Sequence, residues 1–276
     1  MTQSAAPPAA PRTAPGPTVT PDGPGASARP ALQLTGVSKV YGHQGDATVA
    51  LDRVDLTVAP GELVCLVGAS GCGKSTLLNL IAGLDRPTAG TIDTGTNAST
   101  LMFQESALFP WLTARGNIEL ALRLRGVDRR TRRDRADALL ALVHLQEFGG
   151  KRPHELSGGM RQRVALARAL AQDVEILLMD EPFGALDAMT RDLLHDELER
   201  VWRETGRTIV FVTHNVREAI RLGDRVVVLT SRPGRVAAEF AVPLARPRRI
   251  DSPAVATLAA TITDRLREEV ARHGDG

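Results

Sequence analysis

The stretch Gly68-Ala69-Ser70-Gly71-Cys72-Gly73-Lys74-Ser75-Thr76 comes directly after an apolar run, residues 62–67, and opens a helical pattern over residues 75–82. Its spacing matches the pattern G-x-x-x-x-G-K-[ST], and a strand before it and a helix after it are the context that this pattern requires. The glycines permit backbone torsions that turn successive N–H groups inward onto anionic oxygens, and the following helix adds its positive end. We therefore predict that these residues, called the phosphate loop below, bind the phosphates of a nucleotide.

Charged and hydroxyl side chains complete the predicted site. Asp180 and Glu181 end an apolar run that begins at residue 174. We expect Lys74 to reach the β- and γ-phosphates of ATP and Ser75 to ligate Mg²⁺. Asp180 fits the outer partner of that ion, and Glu181 fits the group that polarises or deprotonates an attacking water. The sequence thus predicts hydrolysis of ATP in the presence of Mg²⁺.

Short apolar runs alternate with helical patterns along the chain. Strands are expected at residues 51–58, 62–67, 174–180, 208–213 and 225–230, and helices at residues 75–82, 187–204 and 216–222. This alternation predicts an α/β fold with a parallel sheet, whose ligands bind at the carboxyl ends of the strands. Residues 106–155 depart from it, and an apolar stripe over residues 132–148 predicts a helical subdomain inserted into the α/β core.

Composition limits the class of protein. A net charge of +2 and 43% hydrophobic residues are typical of a soluble globular protein and do not indicate a general nucleic-acid surface. Cys65 lies in a predicted core strand and Cys72 in the phosphate loop, so we expect no disulfide or metal site. We find no apolar run long enough for a membrane span and no signal peptide, and expect a cytoplasmic protein. Residues 1–30 hold eight of the 17 prolines and are expected to be a disordered tail.

A second candidate anion site lies between the phosphate loop and the acidic pair. In the segment Leu156-Ser157-Gly158-Gly159-Met160, Ser157 is a natural N-cap for a helix over residues 158–171, whose first N–H groups attract an anion. With the phosphate loop before it and Asp180-Glu181 after it, this segment makes the chain resemble the ATP-binding subunit of an ABC (ATP-binding cassette) transporter. The resemblance covers residues 32 to about 240, with every expected motif present once and in order.

The resemblance implies a fold and a division into domains. The fold is a P-loop NTPase (RecA-like) core with a mainly parallel sheet, an antiparallel β edge and a helical subdomain inserted at about residues 105–172. Residues 31–241 would form the ATP-binding domain. Residues 242–276 would be a C-terminal extension, with one helix over about residues 254–270.

The resemblance also implies roles for residues that carry little information alone. Gln104 would contact Mg²⁺ and the attacking water, His214 would touch the γ-phosphate and orient Glu181, and Tyr41 would stack on adenine. Ser157-Gly158-Gly159 and Asp187 would act on the nucleotide of a second subunit. The implied catalytic residues are Glu181, His214 and Gln104, and the implied metal ligands are Ser75, Gln104 and Asp180. The implied nucleotide-binding residues are Tyr41, Gly68, Ala69, Ser70, Gly71, Cys72, Gly73, Lys74, Ser75, Thr76, Ser157, Gly158, Gly159 and Asp187.

Three features depart from the family pattern. Met160 replaces the more usual glutamine, and Asn215 replaces the aspartate that usually follows the histidine. We expect both replacements to be tolerated. Residues 90–101 look shorter than the usual strand-and-turn arm. The resemblance implies that Phe109 and Trp111 lie in the region that faces the membrane subunit. The sequence leaves open whether they are exposed contact residues or buried.

Three phrases make the chain most similar to the nitrate/sulfonate/taurine importer subfamily: residues 103–112, 181–187 and 224–235. This similarity implies a homodimer of cassettes, two transmembrane permease subunits and an extracytoplasmic solute-binding protein, with no nucleic acid. The chain would lie at the cytoplasmic face of the cell membrane as a peripheral protein. The alternatives are an exporter cassette, a non-transport ABC ATPase, and a degenerate regulatory cassette that only binds ATP. The transported solute stays open among sulfonate, taurine, nitrate and related small solutes.

Overall fold

The computed structural model describes residues 29–42, 46–184 and 186–273, except for the side chains of residues 270, 272 and 273. The expected disordered tail lies, up to residue 28, outside the described residues. The strands are β1 (Leu32–Tyr41), β2 (Thr48–Val58), β3 (Leu63–Val67), β4 (Ala89–Asp93), β5 (Ser99–Met102), β6 (Ile176–Asp180), β7 (Thr208–Val212), β8 (Arg225–Leu229) and β9 (Val236–Ala241). The helices are α1 (Lys74–Ile81), α2 (Ala114–Leu124), α3 (Arg129–Leu142), α4 (Gly158–Ala171), α5 (Ala188–Thr205), α6 (Val216–Leu222) and α7 (Pro253–His273).

A six-stranded sheet with the order β5-β6-β7-β3-β8-β9 carries the site. Its first five strands are parallel, and β9 runs antiparallel to β8 at the edge. A separate antiparallel sheet has the order β2-β1-β4. Since β3 and β7 are buried at every position, they can be continuous apolar runs, as in parallel strands covered on both faces.

The two faces of the central sheet bury two different clusters. Leu63, Cys65 and Val67 of β3 face a cluster built with helices α2 to α7. Val64 and Leu66 point the other way, into a cluster with α1 and the three-stranded sheet. This alternation follows from the two-residue period of a strand. The result is a three-layer α/β core, with the carboxyl ends of the parallel strands at one edge.

The inserted helical segment differs in detail from the expectation. The sequence predicted an apolar helical stripe over residues 132–148, but α3 begins at Arg129 and ends at Leu142. Asp128 starts the helix, because its carboxylate accepts hydrogen bonds from two backbone N–H groups of the first turn. His144 has a φ of 53°, in the left-handed region, which an α-helix cannot continue. Residues 146–148 then form a separate 3-10 turn.

The segment after β9 contains one long helix, α7. Val255, Ala259 and Ile262 of α7 are buried in the helical-side cluster. Before it, the guanidinium of Arg248 is buried and donates to the carbonyls of Ile220 (2.8 Å) and Val242 (3.0 Å). Among the described residues, no helix combines the length and the apolar character that a membrane span needs.

Candidate functional site

The phosphate loop joins the buried strand β3 to helix α1. Gly71 and Gly73 have φ values of 72° and 98°, in the region that favours glycine. A Cβ at Gly73 would lie 2.8 Å from the carbonyl oxygen of Ala50 and 2.7 Å from Leu51 Cδ2. Only glycine therefore fits this turn, which brings the N-terminus of α1 against β2.

Lys74 is held inside the loop. Its ammonium group donates hydrogen bonds to the carbonyl oxygens of Gly68 (3.0 Å) and Ala69 (2.9 Å) and lies 3.8 Å from Cys72 Sγ. Burial raises the pKa of the Cys72 thiol, and the Lys74 charge opposes this rise. Gly68, Ala69 and Cys72 thus hold the lysine at the place where α1 begins.

A cavity of about 480 Å³ opens beside the loop. It brings together side chains from four separate parts of the chain: Tyr41, Lys74, Ser75, Gln104, Asp180 and Glu181. Ser70, Gly71, Gly73 and Thr76 also line it. The carboxyl ends of β3, β5 and β6 lie next to it, as expected for a parallel α/β sheet.

Asp180 ends β6 beside the start of α1. Burial is the main cause that raises the pKa of its carboxyl group above the ordinary range, and the charge of Glu181 adds to the rise. A hydrogen bond with the Ser75 side chain and the charge of Lys74 oppose it. A hydroxyl and a partly buried carboxylate of this kind suit a hard cation that also binds phosphate oxygens. The residues present therefore fit Mg²⁺.

Glu181 and His214 form a contact at the ends of the neighbouring strands β6 and β7. His214 Nδ1 lies 2.8 Å from Glu181 Oε2. Glu181 has a φ of 42°, which is uncommon for a residue with a side chain and carries strain of about 1–3 kcal/mol. Its N–H donates to the Val212 carbonyl at 3.0 Å, which holds the strained residue against β7. The backbone thus fixes where this carboxylate points.

Gln104 follows β5 and touches both the core and the helical segment. Its carbonyl oxygen accepts a hydrogen bond from Gln162 Nε2 of α4 at 2.6 Å. Its side chain lines the same cavity as Lys74 and Asp180. A movement of α4 is therefore coupled directly to the residue beside the candidate metal ligands.

Tyr41 stands at the end of β1 with its side chain partly exposed. Its hydroxyl donates a hydrogen bond to Asp85 Oδ2 at 3.2 Å, and Lys39 Nζ lies 4.9 Å from the ring centroid. These contacts orient the ring at the mouth of the cavity that contains Lys74. An aromatic ring in that position can stack on a planar base.

Ser157, Gly158, Gly159 and Asp187 lie apart from this cavity. Ser157 Oγ accepts a hydrogen bond from the Met160 N–H at 3.2 Å and starts α4, and Asp187 starts α5 in the same way through Thr190 (2.9 Å). A Cβ at Gly159 would lie 2.3 Å from Thr190 Cγ2, so the two helix starts are packed together. Among the described residues that line the Lys74 cavity, none comes from these two helix starts.

The two replaced residues of the family pattern, Asn215 and Met160, lie in different surroundings. Asn215 accepts hydrogen bonds from the N–H groups of Arg217 (3.0 Å) and Glu218 (3.3 Å) and starts α6, which an aspartate could also do. Met160 is partly buried against the helical-side cluster.

The aromatic side chains near Gln104 are largely exposed. Trp111 is 69% exposed and Phe109 36% exposed, and their rings lie 5.4 Å apart. Leu124, at the end of α2, is 79% exposed and lines the same cavity as Phe109, so the three side chains form one exposed apolar surface. The structure thus decides between the two alternatives that the sequence left open for Trp111, in favour of exposure.

Sequence reasoning missed three residues of the cavity: Thr48, Ala50 and Arg232. Arg232 Nε donates a hydrogen bond to the Gly71 carbonyl at 3.0 Å, across 161 positions of sequence. No periodicity or motif of the phosphate loop points to so distant a residue. The pairing of β3 with β8 and the hydrogen bonds of Gly234 to β2 bring it there.

A family model described as ABC transporter matches residues 51–184. Curated relatives match over most of the chain. The nitrate import ATP-binding protein NrtD of Synechocystis sp. is 46% identical over 77% of this chain and 83% of its own length. The taurine import ATP-binding protein TauB of Burkholderia thailandensis is 48% identical over 76% of this chain and 84% of its own length.

Solved structures of the same fold are also similar. A dimeric structure of a bacterial ABC transporter cassette gives a TM-score of 0.70 at 36% identity and covers 78% of this chain and 100% of that chain. A dimeric post-hydrolysis state of an ATP-binding cassette bound to ADP and Pi gives 0.69 at 35% identity, with the same coverage. These similarities confirm the predicted α/β P-loop fold class. The chain therefore belongs to the family of ABC transporter ATP-binding proteins.

Proposed function

We propose that this chain is the ATP-hydrolysing subunit of an ABC importer that takes up a small solute of the nitrate or sulfonate/taurine type. The observation that supports it most directly is one cavity that contains Lys74, Ser75, Asp180 and Glu181, in a chain similar to nitrate and taurine import proteins. In this proposal residues 31–241 form the ATP-binding domain, at the cytoplasmic face of the membrane.

The nucleotide lies along the cavity. Tyr41 stacks on the adenine ring at the mouth, and the phosphates lie on the N–H groups of the phosphate loop and the N-terminus of α1. Lys74 exchanges its hydrogen bonds to the Gly68 and Ala69 carbonyls for bonds to phosphate oxygens. Since a charged donor bonds an anionic oxygen more strongly than a neutral carbonyl, this exchange favours binding.

Ser75, Asp180 and Gln104 hold Mg²⁺ in this proposal. The ion supplies charge that neutralises the phosphate oxygens. One carboxylate is enough, because Mg²⁺ keeps several waters and takes further ligands from phosphates. The burial that raises the pKa of Asp180 costs the ionised carboxylate free energy, and a cation beside it would offset that cost.

Hydrolysis requires a water in line with the bond between the γ-phosphorus and the bridging oxygen. Glu181 accepts a proton from that water as its oxygen bonds to the γ-phosphorus and the bond to the bridging oxygen breaks, which yields ADP and phosphate. His214 Nδ1 lies 2.8 Å from the Glu181 carboxylate. In this proposal the imidazole orients that carboxylate and touches the γ-phosphate. The fixed, strained backbone of Glu181 limits the positions that the carboxylate can take.

Two copies of the chain complete each site in this proposal. Ser157, Gly158 and Gly159 lie apart from the cavity of their own chain, and their N–H groups at the start of α4 suit the γ-phosphate held by a partner. Asp187 is packed against them through Thr190, so it lies at the same interface between the two copies in this proposal. The dimeric solved cassettes support this arrangement.

The exposed surface of Phe109, Trp111 and Leu124 suits the permease subunits. It lies on the helical segment, which Gln104 and Gln162 connect to the nucleotide cavity. Closure of the dimer would thus move this surface, and with it two permease chains. An extracytoplasmic binding protein would select the solute.

The substitution Glu181→Gln tests the catalytic assignment. The purified wild-type chain should hydrolyse ATP with Mg²⁺. Glu181→Gln should lower kcat by about 10²–10⁴-fold, because the base is lost while the shape is kept. Its affinity for ATP should stay close to that of the wild type, and ATP-bound dimers should accumulate in size-exclusion chromatography. Normal turnover by the variant would contradict the role of Glu181.

Growth of a deletion strain on single nitrogen and sulfur sources tests the importer assignment. Failure on nitrate, taurine or another sulfonate, rescued by the wild-type gene and not by Glu181→Gln, is the expected result. Equal growth of the deletion strain and the wild type on every source would contradict uptake of these solutes and would favour an exporter.

A further inference from the structure

The turn at residues 230–235, between β8 and β9, is a fixed part of the molecule. The Thr230 hydroxyl donates to the Pro233 carbonyl at 2.7 Å and accepts from the Arg235 N–H at 2.9 Å. Arg235 Nε also donates to Asp52 on β2 at 2.9 Å. The turn is therefore braced both internally and against the neighbouring strand.

The same turn is wedged between β2 and the phosphate loop. The Gly234 N–H donates to the Ala50 carbonyl at 2.9 Å, and its own carbonyl accepts from the Asp52 N–H at 3.0 Å. A Cβ at Gly234 would lie 2.2 Å from the Cys72 carbonyl oxygen. Backbone atoms on both sides leave no room for a side chain at Gly234, so the turn is packed tightly against β2 and the phosphate loop.

Arg232 is the one residue of this turn whose side chain lines the nucleotide cavity, among the residues described. Its Nε donates to the Gly71 carbonyl at 3.0 Å, which fixes the guanidinium beside the phosphate loop. Within the described residues no carboxylate pairs with it. By contrast, the neighbouring Arg235 forms an ion pair with Asp52. The Arg232 charge is therefore available to a ligand.

We propose that Arg232 is a second cationic ligand of the nucleotide phosphates, in addition to Lys74. Its planar guanidinium, held by Nε, presents its two terminal NH₂ groups to phosphate oxygens, a geometry that arginine offers and lysine does not. The ligand class is a nucleoside di- or triphosphate. The inference rests on the proposed function, because it assumes that this cavity binds ATP.

Equilibrium binding of a non-hydrolysable ATP analogue, AMPPNP, tests the assignment in the full chain with Mg²⁺. Arg232→Gln should raise Kd about tenfold, the size expected for a lost hydrogen bond between charged groups. Arg232→Lys should recover only part of the affinity, because lysine keeps the positive charge but lacks the paired NH₂ groups of the guanidinium. Arg235→Gln, in the same turn but paired with Asp52, is the matched control and should bind as the wild type does. The affinity loss in Arg232→Gln should shrink at high salt.

The possible results distinguish a failure of this inference from a failure of the proposed function on which it rests. No binding of AMPPNP by the wild type would refute the proposed function and this inference with it. Binding by the wild type with a Kd within twofold in Arg232→Gln would refute the inference alone. Equal weakening in Arg232→Gln and Arg235→Gln, together with equal losses in Tm, would show that the turn only supports the loop, and would also refute it.

Discussion

A buried histidine–carboxylate pair lies next to the carboxyl end of β7, and its disruption gives a sharp test of the packing. His195 on α5 is fully buried, and its Nε2 lies 2.6 Å from Oε1 of Glu218 on α6, which is 5% exposed. The other oxygen of Glu218 accepts from the hydroxyl of Thr213, the residue before His214. The edge of the His195 ring packs on Phe183 with centroids 5.6 Å apart. Glu218→Ala would leave a buried imidazole and a hydroxyl without their partner.

The expected cost follows from that burial. Removing one member of a buried pair typically lowers the free energy of unfolding by about 3–5 kcal/mol. At about 2–4 °C per kcal/mol for a domain of this size, the Tm of Glu218→Ala should fall by about 6–20 °C. Urea denaturation followed by circular dichroism measures the free energy, and a thermal scan measures the Tm.

Two further experiments, a control substitution and a double-mutant cycle, make the result interpretable. His144 and Glu197 form a comparable pair at 3.4 Å, but the His144 side chain is 69% exposed, so His144→Ala should cost less than about 1 kcal/mol. A double-mutant cycle of His195→Leu and Glu218→Leu should show coupling above about 1 kcal/mol, because the second substitution removes a group that the first left unpaired. A cost below about 1 kcal/mol for Glu218→Ala, or additive effects in the cycle, would refute the reasoning.

Three other predictions concern the site itself. Gly159→Ala should lower the free energy of unfolding, measured by urea denaturation, by about 1–3 kcal/mol, because its Cβ would lie 2.3 Å from Thr190 Cγ2. Adding Thr190→Ser should restore most of the lost free energy, and no recovery in the double variant would contradict this contact. Because burial raises the pKa of Asp180 in the folded state, its ionisation opposes folding above the ordinary pKa of aspartate, about 3.9. Asp180→Asn should therefore raise the free energy of unfolding at neutral pH, and the gain should vanish as pH falls below about 4; a gain that is independent of pH would contradict it. Tyr41→Ala should weaken ATP binding by about 1–3 kcal/mol while Tyr41→Phe retains most of the affinity, measured by calorimetry; equal losses in both would point to the hydroxyl rather than the ring.

Some elements were predictable because their signal is local. The phosphate loop, the strand before it and the helix after it are adjacent in sequence, and glycine spacing reports the backbone directly. The apolar runs of β3 and β7 are equally clear, since strands buried on both faces need apolar residues at every position. The apolar stripe over residues 132–148 continues past the end of α3 at Leu142, because such a stripe carries no signal for the left-handed residue His144.

Other features depended on contacts between distant segments. The position of Arg232 on Gly71 and the contact of Glu181 with His214 both come from the order in which β3, β6, β7 and β8 pair. The acidic strand end pointed to Glu181, whereas only the family resemblance pointed to His214, and no sequence pattern pointed to Arg232.

The sequence by itself determined the family, the phosphate loop and the acidic strand end, because each is written in a short run of residues whose spacing sets the local backbone. The tertiary structure decided which distant side chains share the cavity, which charges are paired and which aromatic residues stay exposed. Strand order and helix packing set those distances, and no local pattern encodes them. Arg232 and Arg235 show the difference: the same residue type, three positions apart, faces the nucleotide cavity in one case and Asp52 in the other.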